Sequence, residues 1–256
     1  MSERIFKLCE TARGFGRVCL DLLWPVRCMV CGMEARSCFC EECRAKIRMP
    51  DENVRCPVCG MEIMLPGAAG KVAEPCAECR KSKPAFDKAR AATAYADPIR
   101  KLIAGFKYGG QTALAPDFAE LLDGYVRTAF EGDRIHTLCP VPLFATRMRH
   151  RGYNQAEYLA RGLARRLGVD CEPELLRRVR PTVSQTTKGA RERRANMAGV
   201  FQSPPELRHR VYGREIMLVD DVMTTGSTLR ECAAALKANG AAKVYAVAVC
   251  GGRGDG

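Results

Sequence analysis

The chain of 256 residues has no apolar run near the roughly 18 residues that cross a bilayer, so no transmembrane segment is expected. It opens without a secretory signal pattern. It also has no phosphate loop ending in Gly-Lys-Ser/Thr, because Gly70-Lys71 runs into Val72; this excludes a Walker-type nucleotide hydrolase. Gly14-Phe15-Gly16 lacks the third glycine of a dinucleotide fingerprint and follows no strand pattern. Acidic residues are in deficit: 29 Asp and Glu face 41 Lys and Arg, a formal net charge of +12. These absences leave a basic protein, expected in the cytoplasm, whose chemistry must lie elsewhere.

Cysteine is abundant, with fifteen residues. Cys28, Cys31, Cys40, Cys43, Cys56, Cys59, Cys76 and Cys79 form four Cys-x-x-Cys knuckles. A knuckle presents two thiolates to one tetrahedral metal, so these eight residues build two four-cysteine zinc sites. Pairing first with second and third with fourth gives successive ribbons; cross-braced pairing is the alternative. Cys38 is a spare candidate, since only Cys40 completes a knuckle with Cys43. An odd total forbids complete disulfide pairing within the chain, and paired knuckles favour metal over a disulfide framework. Cys9, Cys19, Cys139, Cys171, Cys232 and Cys250 stand alone in apolar surroundings and read as buried hydrophobes.

The richest stretch is Ile216 to Thr228. Ile216 to Val219 reads as a short buried strand, with Asp220 and Asp221 where it ends. Thr224-Thr225-Gly226-Ser227-Thr228 follows as a turn. Leu229, Cys232, Ala233 and Leu236 then have helical spacing, closed by Asn239-Gly240. In an open α/β sheet such a turn lies at the carboxyl edge, where ligands bind. A helix N-terminus with a glycine and four hydroxyls suits one phosphate. Two carboxylates would repel that phosphate but can accept hydrogen bonds from sugar hydroxyls beside it. The ligand implied is a ribose carrying a 5′-phosphate. An acidic pair after a strand also opens the phospho-acceptor site of receiver domains, but too little chain follows here.

Between these ends the pattern alternates strand and helix, giving an α/β sheet. Phe86 to Ala96 reads as a strand closed by Asp97-Pro98, and Asp117 opens a helix with Phe118, Leu121, Leu122, Tyr125, Val126 and Ala129 on its apolar face. Ile135 to Cys139 is a strand stopped by Pro140. From Asn154 a second amphipathic helix buries Ala156, Leu159, Ala160, Leu163, Ala164 and Leu167 and ends at Gly168, with Arg161, Arg165 and Arg166 on its other face. Lys243 to Cys250 reads as a parallel strand covered on both faces. The predicted organisation is an N-terminal helix over 1–24, a double zinc ribbon over 25–82, an α/β domain over 83–250 and a disordered polar tail over 251–256.

Val219 to Thr228 resembles the phosphoribosyl pyrophosphate (PRPP) signature of type I phosphoribosyltransferases. The resemblance implies that Asp220 and Asp221 hold the ribose 2′ and 3′ hydroxyls, that Thr224, Thr225, Gly226, Ser227 and Thr228 hold the 5′-phosphate, and that Mg²⁺ accompanies PRPP. Zinc knuckles before that signature resemble the ComF family, associated with natural transformation and use of external DNA. The likeness spans nearly the whole chain. It includes Leu23-Trp24-Pro25-Val26-Arg27-Cys28, the Lys-aromatic segment Ile103 to Gly110, and Pro140-Val141-Pro142-Leu143. It continues through Arg149-His150-Arg151-Gly152-Tyr153-Asn154-Gln155-Ala156, and through Gln185-Thr186, Arg191, Arg194 and Asn196 before Phe201. The implied fold is a phosphoribosyltransferase-like parallel sheet flanked by helices, preceded by a zinc-ribbon module.

Arginines cluster between Arg147 and Arg194. Arg binds diphosphate bidentately, so Arg149 and Arg151 from a strand-to-helix loop, and Arg191 and Arg194 from a closing loop over Gln185 to Asn196, are assigned to the pyrophosphate. Arg161, Arg165 and Arg166 either track a nucleic-acid backbone or form a solvated face. Tyr153, Phe106 and Tyr108 either stack bases or pack. Two functions follow. One is Mg²⁺-dependent phosphoribosyl transfer from PRPP to an unassigned nitrogenous acceptor. The other is handling of single-stranded DNA, together with other DNA-uptake proteins, with the PRPP site as sensor or clamp.

Overall fold

The computed structural model describes residues 26–63, 74–180 and 199–252. The predicted N-terminal helix and the segment carrying Arg191 and Arg194 lie outside them, as does the tail beyond Gly252. Among the described residues, those up to Lys46 fall in one compact unit and those from Ile47 onward in another.

In the first unit, the second knuckle opens a short helix, α1 (Glu41–Ala45), with Cys40 as its N-cap and Cys43 within it. The second unit repeats this plan. Val26 to Glu34 and Val54 to Glu62 differ only where Met29 faces Pro57, a repeat not drawn from the spacing of the cysteines alone. Arg27 bridges Glu34 as Arg55 bridges Glu62. Cys28 N–H donates to Met33 O at 2.8 Å, and Cys56 N–H to Met61 O at 2.9 Å. A second short helix, α2 (Ala77–Lys81), is capped by Cys76.

The second unit is built on a five-stranded parallel sheet. Its strands are β1 (Lys88–Ala94), β2 (Thr137–Pro140), β3 (Asp170–Cys171), β6 (Glu215–Met223) and β7 (Lys243–Gly251), in the order β1-β7-β6-β2-β3. A small antiparallel pair, β4 (Arg177–Arg178) and β5 (Phe201–Gln202), stands apart. Helices α3 (Ile99–Tyr108), α4 (Ala115–Ala129), α5 (Ala145–Arg151), α6 (Gln155–Leu167), α7 (Arg208–Val211) and α8 (Ser227–Ala238) complete the domain.

Strand periodicity divides the core. Ile216 and Leu218 of β6 and Val244, Ala246 and Ala248 of β7 share one cluster with Leu229, Cys232, Ala233 and Leu236 of α8. The alternate residue Tyr245 turns to the other face and meets Phe130 just past α4, ring centroids 5.8 Å apart. Helix α6 packs on α4 at close range, because Gly162 leaves no Cβ where one would lie 2.7 Å from that of Ala119. Asn154 caps α6 by accepting from Ala156 N–H, and Gly168 ends it at φ 70°.

The second ribbon seals the open edge of this sheet. Edge strands expose unpaired backbone groups, and β1 is an edge. Ala89 N–H donates to Val58 O at 2.7 Å, and Arg55 donates to Ala91 O at 3.0 Å. Arg55, only 4 % exposed, also donates to Gly60 O, Glu52 and the Tyr125 hydroxyl. Arg90 reaches the other oxygen of Glu52 at 3.1 Å. Burial alone would raise the Glu52 carboxyl; the hydrogen bonds from Tyr125 and Arg55, with the Arg55 and Arg90 charges, hold it low. A buried cation is tolerable only when so satisfied.

Three expectations change in detail. The strand over Ile216 to Val219 continues to Met223, so Asp220 and Asp221 lie within β6 rather than at its end. The ladder to β7 carries on through Asp220 opposite Ala248 and Val222 opposite Cys250, whereas the ladder to β2 stops at Pro140 opposite Val219. Backbone pairing to one neighbour thus outlasts the apolar run. Pro140 belongs to β2, and Val141 N–H still donates to Val219 O; Pro142, lacking an N–H, follows. The helix assigned to begin at Asp117 starts at Ala115, with Pro116 in its first turn.

Candidate functional site

The acid pair sits at the carboxyl end of the central strand. Strand alternation sends adjacent side chains to opposite faces, and their neighbours differ accordingly. Asp221, 6 % exposed, receives the ammonium of Lys107 at 2.9 Å. Burial would lower the Lys107 ammonium, but Asp221 and the nearby Asp220 hold it above its ordinary value. Asp220 accepts from the N–H of Asp221 at 2.8 Å. Burial and the charge of Asp221 push the Asp220 carboxyl up to about 7, against the opposing pull of Lys107 and Arg178.

The turn after β6 leads into α8 through Gly226, whose φ of 68° is the left-handed conformation that favours glycine. Among the described residues no side chain caps α8, and no acidic residue occupies its first turn. Thr224 and Thr225 are exposed, and Thr225 Oγ1 donates to Ser227 Oγ at 3.1 Å. Ser227 and Thr228 form the first helical residues. Helix dipole, free N–H groups and hydroxyls converge on one point, a ready place for an anion.

A cleft of about 810 Å³ is lined by Lys107, Tyr108, Arg147, His150, Arg151 and Tyr153 among others, and Lys107 ties it to Asp221. Arg151 lies over the Tyr108 ring at 5.2 Å and donates to Gln155 Oε1 at 2.8 Å. The Tyr153-Asn154-Gln155 run fixes this wall. Tyr153 Oη donates to Phe106 O at 2.6 Å, Gln155 Nε2 donates to the same oxygen at 3.3 Å, and Asn154 Nδ2 donates to Val141 O at 3.1 Å. These bonds anchor the last turn of α3 and so aim Lys107 at Asp221.

Arg149 and Arg151 therefore stand on the helix α5 rather than in an irregular strand-to-helix loop. Arg151 faces the cleft; Arg149 is exposed on α5 and does not line it. Arg191 and Arg194 lie outside the described residues. Phe106 is fully buried and meets Phe118 edge-on at 5.5 Å, which makes it packing, and Tyr153 is half-buried. Tyr108 alone of the three aromatics is widely exposed, at 79 %. On α6, Arg161 pairs with Glu157 at 2.8 Å and Arg166 with Glu120 at 3.2 Å, so two of the three charges on that face are matched locally.

Lys107, Arg178 and His150 had no assigned role in the sequence. Lys107 was visible only as the basic residue of the aromatic segment; nothing in its spacing announces a carboxylate partner.

The cysteines group sequentially: Cys28, Cys31, Cys40 and Cys43 in the first unit, Cys56, Cys59, Cys76 and Cys79 in the second. Within each group all four sulfurs lie within 4.8 Å of one another. Cys31 to Cys40 and Cys59 to Cys76 are both 3.7 Å apart. Tetrahedral zinc with Zn–S of about 2.3 Å requires an S–S edge of roughly 3.8 Å, so both groups fit that ion.

Residues 19–81 match the double zinc ribbon domain family and residues 154–256 the phosphoribosyl transferase domain family. The chain is 34% identical over 175 residues to competence protein F of Haemophilus influenzae, covering 67% of this chain and 76% of that protein. It is 34% identical over 179 residues to the DNA utilization protein YhgH of Escherichia coli O157:H7, covering 69% and 77%. Competence protein ComFC of Bacillus subtilis is 27% identical over 153 residues, covering 60% and 59%. Cysteine groups in front, a parallel sheet behind and these relatives agree: the chain belongs to the ComF/YhgH family, with an N-terminal double zinc ribbon and a C-terminal phosphoribosyltransferase-like domain.

Proposed function

We propose that this protein binds PRPP with Mg²⁺ and transfers its phosphoribosyl group to a nitrogenous acceptor. The observation that carries this reading is the continuity of Asp220 and Asp221 in β6 with the uncapped, hydroxyl-rich N-terminus of α8. The two carboxylates would accept from the ribose 2′ and 3′ hydroxyls, while Thr224 to Thr228 and the N–H groups of α8 would take the 5′-phosphate. Arg147, Arg151 and Lys107 supply positive charge along the adjoining cleft, where a diphosphate leaving group would be neutralised. Mg²⁺, when bound, would share the diphosphate charge. Arg149, Arg191 and Arg194 would share this work. The two cysteine groups would each hold one structural Zn²⁺.

Calorimetric titration of Mg²⁺ and PRPP into the zinc-loaded protein tests this directly. Binding is expected, with loss of at least tenfold in affinity in Asp220→Asn/Asp221→Asn. An unchanged affinity in that folded variant would overturn the reading.

The relatives' printed names, which concern competence and DNA utilization, favour a role in DNA uptake or use of external DNA. Here the basic cleft with its exposed Tyr108 offers charge and one stacking ring to a single strand. Such binding would weaken with salt at a slope of about −0.7 per phosphate neutralised. Fluorescence anisotropy with a labelled oligonucleotide measures it, and absence of binding at low salt would remove this role.

A further inference from the structure

Arg230 stands in the first turns of α8 and reaches across to the second ribbon. Its backbone N–H donates to Gly226 O at 2.9 Å, the bond that closes the helix onto the turn after β6. Its guanidinium points to the metal group. One nitrogen donates to Cys79 Sγ at 3.6 Å and the other to Ser82 O at 2.8 Å. Ser82 is the C-cap of α2, the helix that carries Cys79. The guanidinium also lies over the Phe86 ring, 5.7 Å from its centroid. One residue therefore touches a zinc-site sulfur at one end and the glycine of the hydroxyl-rich turn at the other.

Apolar packing runs along the same line. Cys56, Cys59 and Cys79 share one buried cluster with Phe86, with Met223 of β6 and with Leu229 and Cys232 of α8. Four cysteines hold zinc as thiolates, which leaves such a site with surplus negative charge. A guanidinium that donates to one of them offsets that charge and fixes the direction of the sulfur, as outer partners do around metal ligands. When the metal leaves, the sulfur loses its fixed place and Arg230 loses an anionic acceptor. A close-packed interior transmits such a displacement. Movement of Arg230 carries with it the N–H that meets Gly226, and so the start of α8.

We propose that Arg230 is a positioning residue through which zinc at the Cys56 group and the ligand at the turn after β6 strengthen each other's binding. The proposal rests on the PRPP reading above for the identity of that ligand, whereas the link from Cys79 through Arg230 to Gly226 stands apart from it. Zinc holds Cys79, Cys79 holds the guanidinium, and Arg230 holds the first turn of α8, where the 5′-phosphate would sit. Coupling between two sites is reciprocal. PRPP should therefore tighten zinc at this group by the same factor by which zinc tightens PRPP. The Cys28 group belongs to the other compact unit and serves as the control.

The test uses the full zinc-loaded chain. Zinc affinity is read by competition with a chromogenic chelator, with and without Mg²⁺ and PRPP, and Cys28→Ser isolates the second site. Asp220→Asn/Asp221→Asn corrects for zinc held by PRPP in solution. Mg²⁺ and PRPP are expected to raise zinc affinity at the second site about five- to tenfold. Arg230→Met should lower zinc affinity there about tenfold and cut the PRPP effect to less than about twofold. Arg230→Lys, which keeps the charge, should recover part of both; should Arg230→Met not fold, Arg230→Lys carries the test with effects of about threefold. Amide hydrogen exchange at position 230, where the N–H meets Gly226 O, should quicken at least tenfold in Arg230→Met and stay unchanged in β7. A PRPP effect below twofold in a wild type that binds PRPP, an effect equally large in Arg230→Met, or unchanged exchange at position 230 would each overturn the proposal. Failure of PRPP to bind the wild type would instead overturn the transferase reading; faster exchange and weaker zinc in Arg230→Met would then still uphold the link from Cys79 to α8.

Discussion

The ammonium of Lys107, at the end of α3, lies 2.9 Å from a carboxylate oxygen of Asp221 in the central strand. The pair is mostly buried, with side-chain exposures of 22 % and 9 %. Removing one member of such a pair leaves an uncompensated buried charge, at a cost of about 3–5 kcal/mol. Lys107→Met is expected to lose stability on that scale in urea unfolding. Lys107→Met/Asp221→Leu should regain part of it, because no lone charge remains. A single variant within 0.5 kcal/mol of wild type, the usual range for a surface substitution, would show the pair to be solvated.

Asp220 makes stability depend on pH in an unusual direction. Its carboxyl ordinarily titrates near 3.8 and is raised to about 7 in the folded chain. Between those values the folded state holds more protons than the unfolded one. This contribution to stability therefore falls as pH rises from about 4 to 7 and is flat on either side. Ionising the folded group costs on the order of 4 kcal/mol. Asp220→Asn should remove this slope and stabilise the ligand-free protein at pH 8 while weakening PRPP. Urea midpoints for both proteins at pH 5 and pH 8 decide the matter; parallel changes would contradict the assignment.

Gly226 is needed for its backbone rather than for space. A Cβ there would meet no heavy atom within 4 Å, yet φ is 68°. Gly226→Ala should cost about 1–2 kcal/mol from the left-handed conformation alone and should lower PRPP affinity by shifting the N–H groups of α8. Gly226→Asn, which tolerates that conformation better, should retain more of both. Equal melting of Gly226→Ala and wild type would sink the argument.

The repeat supplies an internal control for Arg55. Arg27 is its counterpart in the first ribbon, but is exposed, with a 3.5 Å contact to Gly32 O. Arg55→Met should destabilise the sheet domain by about 1–3 kcal/mol, because the carbonyls of Gly60 and Ala91 lose their donor, whereas Arg27→Met should change stability by at most about 0.5 kcal/mol. Similar melting temperatures for the two variants would deny Arg55 its role as the strut between ribbon and sheet.

Zinc should matter differently at its two sites. The Cys56 group belongs to the compact unit that contains the sheet, and the Cys28 group does not. Structural zinc contributes about 10–16 kcal/mol of apparent folding energy to small modules. Cys56→Ser should lower the melting temperature of the sheet domain, and Cys28→Ser should leave it unchanged while halving the bound zinc. Equal effects on melting would contradict the division.

Much of this was legible in the sequence where the physics is local. The Asn154 cap and the Gly168 stop bracket α6 as their chemistry dictates. The apolar spacing of Leu229, Cys232, Ala233 and Leu236 places all four in the core. The end of β6 was not legible. Two carboxylates look like a strand terminus, yet the ladder to β7 is made by backbone groups that ignore side-chain polarity. Helix α5 was hidden by its composition: Ala145 to Arg151 carries basic residues with no apolar stripe, and none of its residues is buried.

By itself the sequence determined the eight-cysteine set, through four knuckles, and the hydroxyl-rich turn, through contiguous residues at a helix start. Only tertiary structure decided which knuckles come together, since sequential and cross-braced pairings have the same spacing. It alone turned one of two nearly identical arginines into a buried strut, because only Arg55 meets the sheet edge and Tyr125. It alone joined Lys107 to Asp221. Local signals act through neighbours along the chain; charge pairing and burial act through space, and the order of the strands fixes what shares that space.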